Sequence, residues 1–265
     1  MRKKIIVSLI ILVLTVAAAS VVLYAAGQVQ FSKDYLSKGI IGIKYKSSDN
    51  KKTKVLIQFG DKKYQYNIKS DDKIHYFPLQ LGNGEYQVGV YENVEGTKYS
   101  AVASEKVNVK LDDSSKVFLN SIQLIEWSEK MNTVSLAKEL TKNKTTDKEK
   151  IEVCYQYMVQ QFKYDFDKLK NLQYDYIPVV DDVVKKKLGI CYDYSAVFAS
   201  MLRSMDIKCK LIMGYTPNVK EYHAWNEVYM DDKWITVDTT YDSQMYGAKI
   251  KYSFEKPKKD YTMSY

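Results

Sequence analysis

The chain is poor in the residues that most often carry chemistry. Its 265 residues include two histidines, three cysteines and four prolines. The histidines are His75 and His223, and no CxxC pair offers thiolates beside them. A zinc site has almost nothing to be built from, so no metal and no other cofactor is expected. Cys154, Cys191 and Cys209 are odd in number and irregularly spaced, which makes no disulfide framework. Arginine is scarce as well. The formal net charge is +8, yet only Arg2 and Arg203 are arginines. A lysine-made charge with no basic stripe between stacking aromatics argues against nucleic acid, where bidentate arginine contacts are usual. It suits solubility, or loose attraction to an anionic cell surface.

Apolar residues are plentiful. A hydrophobic content of 46% supports a packed core, and the 24 tyrosines read as strand and core residues. At the start, Arg2, Lys3 and Lys4 precede an uncharged, mostly apolar run from Ile5 to Ala26. As a helix this run would span roughly 33 Å, enough to cross a bilayer. The positive end should stay in the cytoplasm, placing the bulk of the chain outside. Ala17-Ala18-Ala19 also offers a cleavage pattern. Residues 1–28 are therefore expected to be a membrane anchor or a signal peptide, and the remainder to be extracellular, anchored or secreted.

Residues 29–112 carry short alternating segments rich in Val, Ile and Tyr, punctuated by Gly60-Asp61 and Gly82-Asn83-Gly84. Six or seven such strands suggest a small, immunoglobulin-like β-sandwich. His75 falls in one of them and reads as structural. Residues 113–145 look like a partly helical connector. Residues 146–265 form a second domain, and the fold class is α+β. Thr146 followed by Glu149 is a capping box, and Ile151, Cys154, Met158, Val159 and Phe162 then share one helical face. Cys154 is thus a packed thiol. Cys209 alternates with lysines in a strand and is structural too.

Cys191 is different. It follows Gly189-Ile190 and opens "CYDYSAVFASMLRS", a helix apolar nearly all round and so buried. Unpaired backbone N–H groups and the positive dipole end gather at such a position and favour a thiolate. The same N–H groups could receive an oxyanion. Cysteine is also among the most buried residue types, so this stretch alone leaves nucleophile and core thiol both open. "EYHAWNEVYMDDKWITVDTTYD" supplies partners. If Asp231-Asp232 is a two-residue turn, Met230 pairs with Lys233 and Trp225 lies opposite Asp238. His223 and Asp238 then become diagonal neighbours on one face. The imidazole would take the thiol proton, and the carboxylate would hold the ring.

"GICYDYSAVFASMLRSMDIKCKLIMGY" followed by "YHAWNEVYMDDKWITVDTTYD" resembles the bacterial transglutaminase-like superfamily, over roughly Thr146 to Tyr246. "GNGEYQVGVYENVEGTKYSAVASEKVNV" is similar to the β-domain that precedes this core in some exported Gram-positive members. The resemblance implies a papain-like core with Cys191 as nucleophile, His223 as base and Asp238 as orienting acid. It implies attack on an amide carbonyl of a peptide or protein, and export points to substrates in the cell envelope, either peptidoglycan stem peptides or surface proteins. It faintly implies an oxyanion role for Tyr164, against the stronger reading of a core tyrosine. Asp193 is a candidate helix cap or local pair. Trp225 is a candidate to shield the imidazole or to wall the substrate groove, and Tyr174, Tyr176 and Pro178 are candidates to border that groove. A non-catalytic adhesion or scaffold protein on the same fold is the competing expectation.

Overall fold

A computed structural model describes residues 29–263 apart from 48 and 50. The expected anchor or signal segment, residues 1–28, lies outside the described residues. Among the described residues, no helix is long and apolar enough to cross a membrane.

Alternation of apolar and polar residues builds the first half. The strands are β1 (Val29–Ser32), β2 (Ile40–Tyr45), β3 (Thr53–Phe59), β4 (Lys62–Asn67), β5 (Asp71–Pro78), β6 (Gly84–Glu95) and β7 (Lys98–Val109). They form two antiparallel sheets, ordered β1-β2-β5 and β4-β3-β6-β7. Ile41, Ile43 and Phe77 from one sheet meet Val55, Ile57, Val88, Val90 and Val107 from the other in a single core. This is a sandwich, held together because every second residue faces inward. Compared with the constant-type immunoglobulin order, the fourth strand sits in the second sheet instead of the first. Tyr86, at the start of β6, is fully buried. Its hydroxyl donates to Gly82 O at 2.6 Å and accepts from Leu81 N–H at 2.8 Å. That is the geometry of a tyrosine corner, which pins the turn between β5 and β6.

A segment beginning with a 3-10 turn at Ser114–Leu119 leads into the second half. Its helix α1 (Asn132–Thr141) contributes Ala137 to the second hydrophobic core, as do Ile122 and Ile125 ahead of it. The segment read from the sequence as a connector is therefore largely packed against the domain it precedes. Helix α2 (Asp147–Gln161) starts with the capping box: Thr146 accepts from Glu149 N–H, and the Glu149 carboxylate accepts from Thr146 N–H at 3.0 Å. Next come β8 (Lys163–Tyr164), α3 (Phe166–Lys170), α4 (Val180–Lys186) and β9 (Leu188–Gly189). Helix α5 (Cys191–Arg203) is the axis of the domain, with nearly every side chain buried. Strands β10 (Cys209–Thr216), β11 (Val219–Met230) and β12 (Lys233–Val237) follow, then α6 (Thr239–Gly247) and the short C-terminal β13 (Thr262–Met263). The sheet runs β12-β11-β10-β13 and is antiparallel throughout.

The two halves are pinned by polar groups that leave little freedom. Gln123 is buried; its amide donates to Asn67 O at 2.8 Å and accepts from Lys69 N–H at 3.1 Å. Arg203, one of the two arginines, donates to Cys209 O at 2.8 Å and to Asn120 O at 2.7 Å, while Asn120 reaches Lys38 O at 2.9 Å. A rigid fork of donors suits such a buried clasp better than a lysine would.

Candidate functional site

The turn into α5 is shaped by Asp193. Its carboxylate is fully buried and accepts from Ile190 N–H at 2.8 Å and Lys168 Nζ at 2.8 Å, and from the Tyr176 hydroxyl. Asp193 therefore caps the helix and pairs locally at once. Gly189 is required for a reason other than backbone freedom. A Cβ there would come 2.6 Å from Asp193 Cβ, so only glycine lets the carboxylate fold back. The Lys168 ammonium also offsets a negative charge lying two residues from Cys191. Parallel pairing of β8 with β9 sets Tyr164 beside Gly189. Cys191 emerges as the first helical residue, buried but lining a cleft. Helix N–H groups in that first turn have no intrahelical acceptor.

The hairpin register follows the sequence expectation. Asp231 and Asp232 both take the left-handed conformation, with φ of 50° and 58°, the combination a two-residue type I′ turn requires. Met230 pairs with Lys233 and Asn226 with Val237. His223 and Asp238 consequently meet, with His223 Nε2 2.8 Å from Asp238 Oδ2. The same imidazole is in side-chain hydrogen-bonding contact with Cys191. The three expected site residues are thus brought together, and all three are buried. Burial alone would push the imidazole down. The hydrogen bonds and charges of Asp238 and Cys191 outweigh it and raise His223 to about 10. The other two thiols differ: burial raises Cys154 and Cys209 each to about 12, so they stay protonated and inert.

Asp238 also caps α6, accepting from Tyr241 N–H at 2.9 Å through Oδ1. Its Oδ2 receives a second donor, the Tyr261 hydroxyl at 3.0 Å. Tyr261 was not singled out in the sequence, because nothing local distinguishes it among 24 tyrosines. Behind this layer, Asp242 accepts from Tyr155 at 2.8 Å and pairs with the buried Lys256. Burial pushes Asp242 up, to about 6, despite that ammonium.

Cys191 and His223 open onto a cleft of about 970 Å³. Trp225 forms part of its floor, nearly parallel to the His223 ring with centroids 6.4 Å apart. Tyr174, Tyr176, Ile177 and Tyr192 line it, whereas Pro178 is absent from the lining. The sandwich contributes as well: Tyr64, Gln65 and Tyr66 of β4, with Gln80, line the same space. The charges at one end are paired among themselves, Glu227 with Lys210 at 2.8 Å and with Lys258 at 3.4 Å. Tyr164 is not part of the lining. It is edge-on to Phe166 at 4.9 Å, and burial, with the Cys191 charge next, pushes its hydroxyl up.

Fold and site together set a helix-borne cysteine beside a strand-borne histidine that an aspartate contacts, an arrangement able to carry nucleophilic attack on acyl groups. Residues 134–239 match the transglutaminase-like superfamily, and this part of the chain is a transglutaminase-like domain. Kyphoscoliosis peptidase of Homo sapiens is 25% identical over 118 residues, which cover 41% of this chain and 18% of that protein. The chain thus spans under a fifth of the length of this curated relative. Among solved structures, a candidate cysteine protease from Cytophaga hutchinsonii covers 72% of each chain with a TM-score of 0.45 at 16% identity. The periplasmic domain of TgpA from Pseudomonas aeruginosa covers 77% of this chain and is itself covered to 72%, with a TM-score of 0.39 at 15% identity.

Proposed function

We propose that the protein is an exported, cysteine-dependent acyl-transfer enzyme acting on amide bonds of cell-envelope peptides or proteins. The observation that carries this reading is the contact of the Cys191 thiol with an imidazole that Asp238 holds from behind. In the proposed reaction the Cys191 proton already rests on His223, and the Cys191 thiolate attacks the amide carbonyl beside the imidazolium. The oxyanion is received at the first turn of α5. His223 then returns the proton to the leaving nitrogen, and an amine or ammonia departs from a thioester. Water resolves the thioester in a peptidase or deamidase, and a primary amine resolves it in a transglutaminase. The charged start and apolar run of residues 1–28 support export.

The test is Cys191→Ala on the chain lacking the N-terminal segment, assayed on envelope-derived peptides with and without a primary amine. The substitution removes the sulfur and leaves a good helix former in the first turn. Turnover should vanish while the fold persists. If wild type and variant were equally inert yet bound the same wall or protein ligand, the scaffold reading would take its place.

A further inference from the structure

We propose that Tyr261 is a positioning residue for the Asp238 carboxylate, and that strand β13, which directly follows it, is an integral part of the reactive unit. The proposal rests on the reading of Cys191 as a nucleophile. Asp238 is fully buried, and a buried carboxylate needs donors on both oxygens to stay ionised and fixed in one plane. Oδ1 is held by Tyr241 N–H at 2.9 Å. Oδ2 is shared: His223 Nε2 approaches it to 2.8 Å and Tyr261 donates to it at 3.0 Å. Without Tyr261, Oδ2 would keep only the His223 contact, and the carboxylate would lose its one hydroxyl donor on the side that aims the imidazole. The same tyrosine ring packs edge-on against Trp225, with centroids 5.1 Å apart, and Trp225 in turn lies against His223. Tyr261 therefore supports the carboxylate by its hydroxyl and the imidazole through its ring. Burial and the nearby Asp238 charge push its hydroxyl upward, so it remains a donor at neutral pH. The other ionisable groups near Asp238 are Asp242 and Tyr155, from α6 and α2, with Lys256 paired to Asp242.

Delivery of Tyr261 depends on one glycine. Strand β13 pairs with β10 at Gly214 and Tyr215, and Gly214 is itself the partner of His223 across the next ladder. A Cβ on Gly214 would lie 2.0 Å from Thr262 O and 3.0 Å from Met263 Cα. Both are backbone atoms, so a side chain at this position forces the tail away from the sheet. The lack of a side chain at Gly214 thus lets residues far along the chain reach the back of the site.

The experiment measures alkylation of Cys191 by iodoacetamide at neutral pH, which needs no substrate and so stands apart from the proposed amide chemistry. Tyr261→Phe keeps the ring on Trp225 and removes only the donor. Its Cys191 alkylation rate should fall about tenfold, as expected for one lost hydrogen bond to a charged group, with thermal stability nearly unchanged. In the Asp238→Asn background the same substitution should have no further effect, since Tyr261 acts through that carboxylate. Gly214→Ala, which leaves Tyr261 in the sequence, should lower the rate at least as far. Where turnover is measurable, the loss should appear in kcat and not in KM. A Tyr261→Phe rate equal to wild type, an effect that simply adds to that of Asp238→Asn, or a Gly214→Ala rate equal to wild type would overturn the proposal. Failure of the amide reading alone would leave wild-type Cys191 reactive and sensitive to Tyr261.

Discussion

Each half of the molecule holds one histidine, and each histidine is paired with an aspartate. In the sandwich, His75 Nε2 lies 2.6 Å from Asp71 Oδ1; in the transglutaminase-like domain, His223 Nε2 lies 2.8 Å from Asp238 Oδ2. By distance alone the first pair looks the stronger. The surroundings separate them. The Asp71 side chain is 41% exposed and that of Asp238 is 0%. Asp71 and His75 belong to one strand, β5, four residues apart, so their contact costs little to form and organises little. His223 and Asp238 come from different elements and meet only when the hairpin register is right. A third group then faces the second ring: a thiol at a helix start. An imidazole–carboxylate pair becomes a candidate site through burial and a nucleophile, and not through the pair itself.

Substitution should expose this difference most sharply at the histidines. His223→Ala is expected to lower amide turnover by at least about a thousandfold, since members of one nucleophilic unit fail together. His75→Ala should leave turnover within about twofold. The aspartates should follow with a smaller gap. Asp238→Asn is expected to cost roughly a hundredfold or more, because an amide fixes the wrong tautomer. Asp71→Asn should cost only about 1 kcal/mol of stability, as an exposed pair allows, with no effect on turnover. Equal losses at the two histidines would break the comparison.

The pH dependence of stability should sharpen it further. His223 is raised from an ordinary 6.5 to about 10 in the folded chain. A raised basic group stabilises most fully below its unfolded value and loses that contribution as pH rises through the folded one. Stability should therefore decline from about pH 6.5 to about pH 10, and urea titrations across that window should lose this slope in His223→Gln. The raised Asp242, at about 6, acts in a lower window, above its ordinary 3.8, and does not obscure the effect. A slope identical in both proteins would contradict the assignment.

Much of the site was legible because its signals are local. A glycine, a cysteine and an all-apolar run placed Cys191 at a helix start. Two consecutive aspartates set the hairpin turn, and counting back from them brought His223 to Asp238. The strands β2 to β7 were readable from alternation, whereas β1, a four-residue segment, was not. What escaped is non-local. Tyr261 reaches Asp238 because β13 lies on β10, and no pattern of three residues near a chain end announces that. The sandwich wall of the cleft depends on how Gln123 and Arg203 fasten the two halves, which alternation along a strand cannot encode. Gly189 marks the entry to α5 in the sequence, but its constraint comes from the Asp193 side chain and is not written locally.

The most direct test compares the three thiols of the folded chain. Iodoacetamide labelling at neutral pH, resolved by mass spectrometry, should modify Cys191 well before Cys154 and Cys209, whose burial raises them to about 12. His223→Ala should bring Cys191 down toward the rate of an ordinary thiol. Similar slow rates for all three cysteines, or a Cys191 rate indifferent to His223, would contradict the claim that Cys191 is an activated nucleophile.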